Sequence, residues 1–105
     1  RLYDLYAEAA YAYPMWTYMQ KMAGIAAFEQ DNPVSAQYYL LRAYKQAPED
    51  AKVLYYLGAV SFRQGYYDDC LAYFDEALTC GADEELQSNM LWYMEQIPGI
   101  GGEEA

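Results

Sequence analysis

Histidine is absent from this chain, and basic residues are scarce. Without histidine, the Ser–His and Cys–His pairs that activate many catalytic nucleophiles cannot form. The chain has only 6 lysines and arginines against 16 aspartates and glutamates, which gives a net charge of −10. Because nucleic-acid affinity depends on basic side chains that neutralise phosphates, we expect no nucleic-acid partner. The acidic balance favours a neutral or basic partner, although it is also what a solvated surface without a partner would show.

Cysteine is scarce as well, and its spacing excludes an internal disulfide. Cys70 and Cys80 lie ten residues apart on one predicted helix. A rise of ~1.5 Å per residue separates them by about 15 Å, whereas a disulfide needs Cα atoms within ~7 Å. Two unpaired thiols favour a reducing, cytoplasmic compartment, but the sequence leaves the localisation open.

Other sequence features of membrane proteins and enzymes are also missing. No apolar run approaches the ~18 residues of a membrane span, so we expect no membrane insertion. The carboxylate clusters, Asp68-Asp69, Asp75-Glu76 and 83–85, do not have the spacing of a calcium loop. Helix capping and solvent exposure explain them. We therefore expect no metal, no cofactor and no enzymatic activity.

Apolar residues recur at spacings of three and four along the whole chain, which predicts an all-α fold. The pattern gives six helices, at 2–12, 15–30, 33–46, 51–64, 67–80 and 84–97. Asn32, Asp50 and Asp83 are predicted N-caps, and Gly65 and Gly81 are predicted left-handed residues at helix ends. Because the breaks are short, successive helices should run antiparallel.

The chain also repeats itself at an offset of 34 residues, in register from residue 1 to 97. Gly24 aligns with Gly58, and Pro14, which we expect to open the second helix, aligns with Pro48. A fixed period in this range is typical of a solenoid, in which each unit is stable only against its neighbours.

The segment 51–78 resembles the tetratricopeptide repeat at Leu57-Gly58, Gln64-Gly65, Tyr67-Asp68, Phe74 and Ala77-Leu78. This resemblance implies a right-handed α-solenoid of antiparallel helix pairs. Its domain would span 1–98, with a half repeat at 1–14, repeats at 17–50 and 51–84, and a capping helix at 85–97. A flexible tail would follow at 99–105. Trp92 stands where the family has a small residue, which favours a terminal cap whose polar side turns Gln87, Ser88, Glu95 and Gln96 towards water.

The same resemblance implies a concave groove lined by the first helix of each pair. Its positions in this sequence are rich in aromatic and methionine side chains, which suit adaptable protein contacts. An alternative is that several of the rings pack on each other and not on a ligand. The candidate residues are Tyr18, Lys21, Met22, Ile25, Phe28, Lys52, Tyr55, Tyr56, Phe62, Arg63, Met90 and Tyr93.

We therefore expect a protein–protein interaction module that binds a peptide or helix with apolar anchors and some positive charge. A structural alternative stays open, in which the chain is a segment of a longer scaffold or forms a homo-oligomer through residues 1–14. The unpaired first helix motivates it, because that helix would expose Leu2, Leu5, Tyr6, Ala9 and Tyr13. Glycan binding is a less favoured alternative, based on the 14 tyrosines.

Overall fold

A computed structural model of the chain describes residues 2–99. These residues form six α-helices and no strand, which confirms the all-α prediction for this range. The helices are α1 (Leu2–Ala12), α2 (Thr17–Glu29), α3 (Pro33–Gln46), α4 (Ala51–Arg63), α5 (Tyr67–Thr79) and α6 (Glu84–Gln96). In the predicted tail, residues 100–105 lie outside the described residues.

All helix ends fall within two residues of the predicted ones, and the largest difference is at the start of α2. Pro14 does not open this helix. Instead, residues 13–16 form a turn in which the Trp16 amide donates to the carbonyl of Tyr13 at 2.9 Å. Trp16 then precedes the first helical residue, Thr17.

The predicted helix ends are confirmed by backbone geometry. Asn32, Asp50 and Asp83 each accept a hydrogen bond from a backbone amide in the first turn of the following helix, at 3.2, 3.0 and 2.9 Å. Gly65 and Gly81 have φ angles of 82° and 90°, which favour glycine. Local sequence signals therefore fix where these helices begin and end.

Two helix–helix contacts are especially close, and they lie one 34-residue period apart. α2 packs most closely on α3, and α4 on α5. A Cβ atom on Gly24 would lie 2.6 Å from Cγ of Leu40, and one on Gly58 would lie 2.4 Å from Cε1 of Phe74. Both distances are shorter than real Cβ contacts, so only glycine fits without a shift of the neighbour. Glycine at these two positions therefore allows the paired helices to approach closely.

The apolar core has two main parts, joined through α4. The first lies between α2, α3 and α4 and includes Ile25, Leu40, Val53, Leu57 and Val60. The second lies between α4, α5 and α6 and includes Leu54, Tyr55, Phe74, Met90 and Ile97. Burying each such side chain contributes roughly 1.5–3 kcal/mol. α4 therefore supplies residues to both parts and joins them.

α6 exposes the polar side chains that the sequence predicts to face water. Gln87, Ser88, Glu95 and Gln96 are all exposed, as expected, and so is Trp92, at 56%. α6 packs more closely on α4 than on α5, whereas α4 packs more closely on α3 than on α2. α6 therefore does not repeat the packing of α4. Within residues 2–99, no helix combines the length and apolar character required to cross a membrane.

Candidate binding surface

Six aromatic rings from four helices form a continuous series of contacts, which we call the aromatic row. It begins with Phe28 of α2, whose ring centroid lies 5.6 Å from that of Tyr56 on α4. Centroid distances along the rest of the row are 4.9, 6.2, 5.1 and 5.6 Å. Tilted and edge-to-face pairs at these distances contribute about 0.5–1.5 kcal/mol beyond burial. The row runs in the order Phe28, Tyr56, Tyr55, Tyr93, Phe62, Tyr67.

Helical spacing on α4 explains why these rings meet. Tyr55 and Tyr56 are adjacent in sequence and point to neighbouring directions, so one ring is buried towards α5 and α6 while the other reaches α2. Phe62 lies about two turns further along α4, and Tyr93 of α6 contacts both Tyr55 and Phe62. α6 thus supplies the ring that connects Tyr55 to Phe62.

The predicted site residues differ in how accessible they are. Ile25, Tyr55 and Met90 are buried in the core, so they support the surface from below. Half-buried positions are Lys21, Met22, Phe28, Tyr56, Phe62 and Tyr93, and exposed positions are Tyr18, Lys52 and Arg63. The aromatic row unites five of these predicted residues and adds Tyr67.

Two of the three predicted cations are neutralised within the molecule. The Lys21 ammonium lies 2.9 Å from the carboxylate of Asp50. Arg63 forms an ion pair with Asp31, and its guanidinium carbon lies 4.8 Å above the ring of Phe28. These arrangements hold both cations beside the row and leave little positive charge for an anionic partner.

The carboxylate of Asp50 links the Lys21 ion pair to the start of α4. Burial alone would raise the pKa of Asp50, but the hydrogen bond from Lys21 and the amides of Val53 and Lys52 outweigh it and lower the pKa. Asp50 is therefore held ionised, and it anchors Lys21 of α2 to the first turn of α4.

Acidic side chains surround the accessible part of the row at Tyr56. Burial raises the pKa of Tyr56, and the negative charges of Glu29 and Glu85 raise it further. A cavity of about 140 Å³ opens here, lined by Lys52, Tyr55, Tyr56, Asp83, Glu85, Leu86 and Asn89. Tyr56 thus presents a half-buried ring in a negatively charged environment, which suits a cationic group.

Sequence reasoning assigned Asp83 and Glu85 to helix capping and missed their place beside Tyr56. The cap is real, since Asp83 accepts from the Leu86 amide at 2.9 Å. The signal that could have found Glu85 is its position in the first turn of α6, next to the predicted groove. Among residues 2–99, no three histidine, cysteine, aspartate or glutamate side chains gather in a way that could hold a metal ion.

Comparison with known proteins adds no family to this description. No protein-family model matches the chain, and no curated protein matches it in sequence.

Proposed function

We propose that the six helices form a right-handed solenoid of tetratricopeptide type and that its aromatic row binds a segment of a partner protein. The recurrence of one close contact, Gly24 on Leu40 and Gly58 on Phe74, one period apart supports the repeat. In such a solenoid the aromatic row would lie on the concave side. The proposed module is a binding protein and not an enzyme.

The observation that carries this proposal is the half-buried ring of Tyr56 between acidic side chains. Aromatic rings with one accessible face bury a large area on binding and lose few rotamers. Asp83 and Glu85 line the same cavity as Tyr56, and the charges of Glu29 and Glu85, after burial, raise the pKa of Tyr56. We therefore assign to this surface a peptide or helix that carries a lysine or arginine beside an apolar anchor.

The proposal is tested by selecting peptides from a displayed random library on the whole protein. We expect enriched peptides to combine a basic residue with an aromatic or aliphatic one. Their affinity should fall at least about tenfold for Tyr56→Ala, which is the range of an interface hot spot. Calorimetry or fluorescence anisotropy measures the change.

Tyr11→Ala is the matched control, because Tyr11 is an exposed tyrosine on α1, which contributes no ring to the row. Its affinity for the selected peptides should equal that of the wild type. Equal affinities of Tyr56→Ala and Tyr11→Ala would show that the aromatic row is not the binding surface. Enrichment of acidic peptides would contradict the assigned charge of the partner.

A second candidate function is pairing through α1, which the exposed apolar side chains of this helix favour. Leu2 and Leu5 are 61% and 63% exposed. Tyr6 and Ala9, which we expected to be exposed, are half-buried because they pack on the cluster of Ala10, Met19 and Ala23. Light scattering over a concentration series tests this candidate, and a monomer at every concentration argues against it.

A further inference from the structure

A separate pocket lies where the end of α1 meets α2 and α3. Its volume is about 260 Å³, and its walls combine three tyrosine rings with one guanidinium group. None of its residues belongs to the aromatic row or to the predicted residues of the concave groove. The lining residues are Ala10, Tyr11, Pro14, Gln20, Tyr38, Tyr39 and Arg42.

Gln20 forms the floor of this pocket and is 0% exposed. A buried amide destabilises the fold unless its hydrogen bonds are satisfied. Here Nε2 donates to the carbonyls of Ala10 and Pro14, at 3.0 and 3.3 Å, and Oε1 accepts from Nε of Arg42 at 3.1 Å. One period later the same position is Leu54, also 0% exposed. The position of Gln20 is therefore a core position, which holds leucine one period later. Here it holds an amide that orients Arg42.

Arg42 is held from two sides. Gln20 fixes its Nε atom, and the ring of Tyr38 lies under the guanidinium, with the Cζ atom 5.5 Å from the ring centroid. Within residues 2–99 it forms no salt bridge, whereas Lys21 and Arg63 do. A guanidinium has five N–H donors, and the contact with Gln20 uses one. In a chain of net charge −10, an arginine oriented without a carboxylate partner is preorganised for an anion.

We propose that this pocket binds a small organic carboxylate, whose oxygens pair with the guanidinium of Arg42 and whose apolar body packs on the rings of Tyr38 and Tyr39. The planar fork of arginine matches a carboxylate with two parallel hydrogen bonds. One guanidinium balances a single negative charge, and tyrosine walls favour an apolar body over a phosphate dianion. This site is independent of the aromatic row and of its proposed peptide.

Benzoate is the probe, and its binding is followed by ¹H–¹⁵N NMR of the whole protein. We expect saturable shifts of the Arg42 Nε–H signal and of the backbone amides of Ala10 and Tyr39. A fragment of this size should bind with a dissociation constant on the order of 1 mM. Benzamide, which has the same shape without the charge, should bind at least about tenfold more weakly.

Three variants separate the site from a general charge effect. Arg42→Gln should abolish the saturable shifts, and Arg42→Lys, which keeps the charge but loses the fork, should weaken binding about tenfold. Lys45→Gln removes a positive charge from the same helix outside the pocket and should leave the affinity unchanged. Circular dichroism checks that each variant is folded, and Arg42→Lys decides the question if Arg42→Gln is not.

Several results would overturn the assignment. Equal affinities for benzoate and benzamide would show that the negative charge of the ligand does not contribute to binding. If Arg42→Lys and Arg42→Gln both bound benzoate with wild-type affinity, the guanidinium would not be the binding group. If the wild type showed no saturable shifts, the pocket would not be a carboxylate site. Inorganic phosphate binding more tightly than benzoate would replace the carboxylate with another class of anion.

Discussion

Gly58 decides how closely α4 and α5 approach, because no side chain stands between its backbone and the ring of Phe74. That ring is 2% exposed and stacks on Tyr55 at a centroid distance of 5.9 Å, so it has little room to move. Alanine at this position would gain about 1 kcal/mol in helix propensity. Moving the ring costs about 1–3 kcal/mol. We expect Gly58→Ala to lower the free energy of unfolding, which urea denaturation measures.

Gly24→Ala provides the comparison one period earlier. Its Cβ would meet the branched end of Leu40, which can change rotamer more easily than a stacked ring. We therefore expect a smaller loss than for Gly58→Ala, and partial recovery when Gly58→Ala is combined with Phe74→Leu. Wild-type stability of Gly58→Ala would mean that the contact with Phe74 does not limit the helix separation.

A second prediction at the residue scale concerns the buried thiol of Cys70. Burial raises the pKa of Cys70 from 9.0 to about 11. Because the folded state keeps this proton longer than the unfolded state, the resulting stabilisation is complete below pH 9 and is lost as the pH rises to about 11. The loss is at most about 2–3 kcal/mol.

Comparing the wild type with Cys70→Ala isolates this effect. Burial also raises the pKa of Tyr55, so both proteins should lose stability at high pH. We expect the wild type to lose more between pH 9 and 11, as measured by urea denaturation at several pH values. Parallel pH profiles would show that the thiol does not titrate differently in the two states.

At the scale of helices, the connections explain where the 34-residue offset fails. The links after α2, α4 and α5 share one turn, in which a left-handed residue follows the helix and an amide bonds back to a carbonyl five residues earlier. The link after α3 contains Pro48 and no left-handed residue. The link between α5 and α6 therefore has the same turn as the links after α2 and α4. The 34-residue offset predicts instead that it would resemble the link after α3.

This difference changes the position of α6. Its cap is Asp83, one residue before the position that aligns with Asp50, and the helix packs mainly on α4. Between α5 and α6 a cavity of about 190 Å³ is left, lined by Phe74, Leu78, Gln87, Met90, Leu91 and Met94. The sequence predicts a turn at Gly81, but it does not predict how this turn changes the packing of α6 on α4 and α5.

The helices and their caps could be predicted because their signals are local: apolar spacing, Asn32, Asp50 and the glycines. The candidate surface could be predicted only in part. The row at Phe28, Tyr56 and Phe62 follows from helical spacing on the repeat. The burial of Tyr55 and Met90 depends on how α6 packs against α4, which no local pattern encodes. Gln20 was missed because a buried amide is recognised only when its partners on α1 and α3 are known.

At the scale of the whole molecule, exposed apolar side chains concentrate near the start of the described chain. The offset provides an internal comparison for α1, because Leu2, Tyr6 and Ala9 align with Ala36, Leu40 and Ala43. The three residues on α3 are 0% exposed, whereas Leu2 is 61% exposed. On α3, helix α2 covers these positions. On α1 only part of this face is covered: Tyr6 and Ala9 are half-buried against Met19 and Ala23 of α2, whereas Leu2 has no covering helix among residues 2–99.

We expect this face to associate with a second copy of the chain. The charge of −10 on each chain should oppose this association. Salt should favour association, because the screening length falls from about 30 Å at 0.01 M to about 10 Å at 0.1 M. Sedimentation velocity should give an average mass that rises with protein concentration, and more steeply at the higher salt.

Leu5→Glu should abolish this rise in average mass. Leu91→Glu adds the same charge at a similarly exposed leucine on α6 and should leave the rise nearly intact. If Leu5→Glu and Leu91→Glu behave alike, general charge repulsion explains the effect and α1 is not the contact.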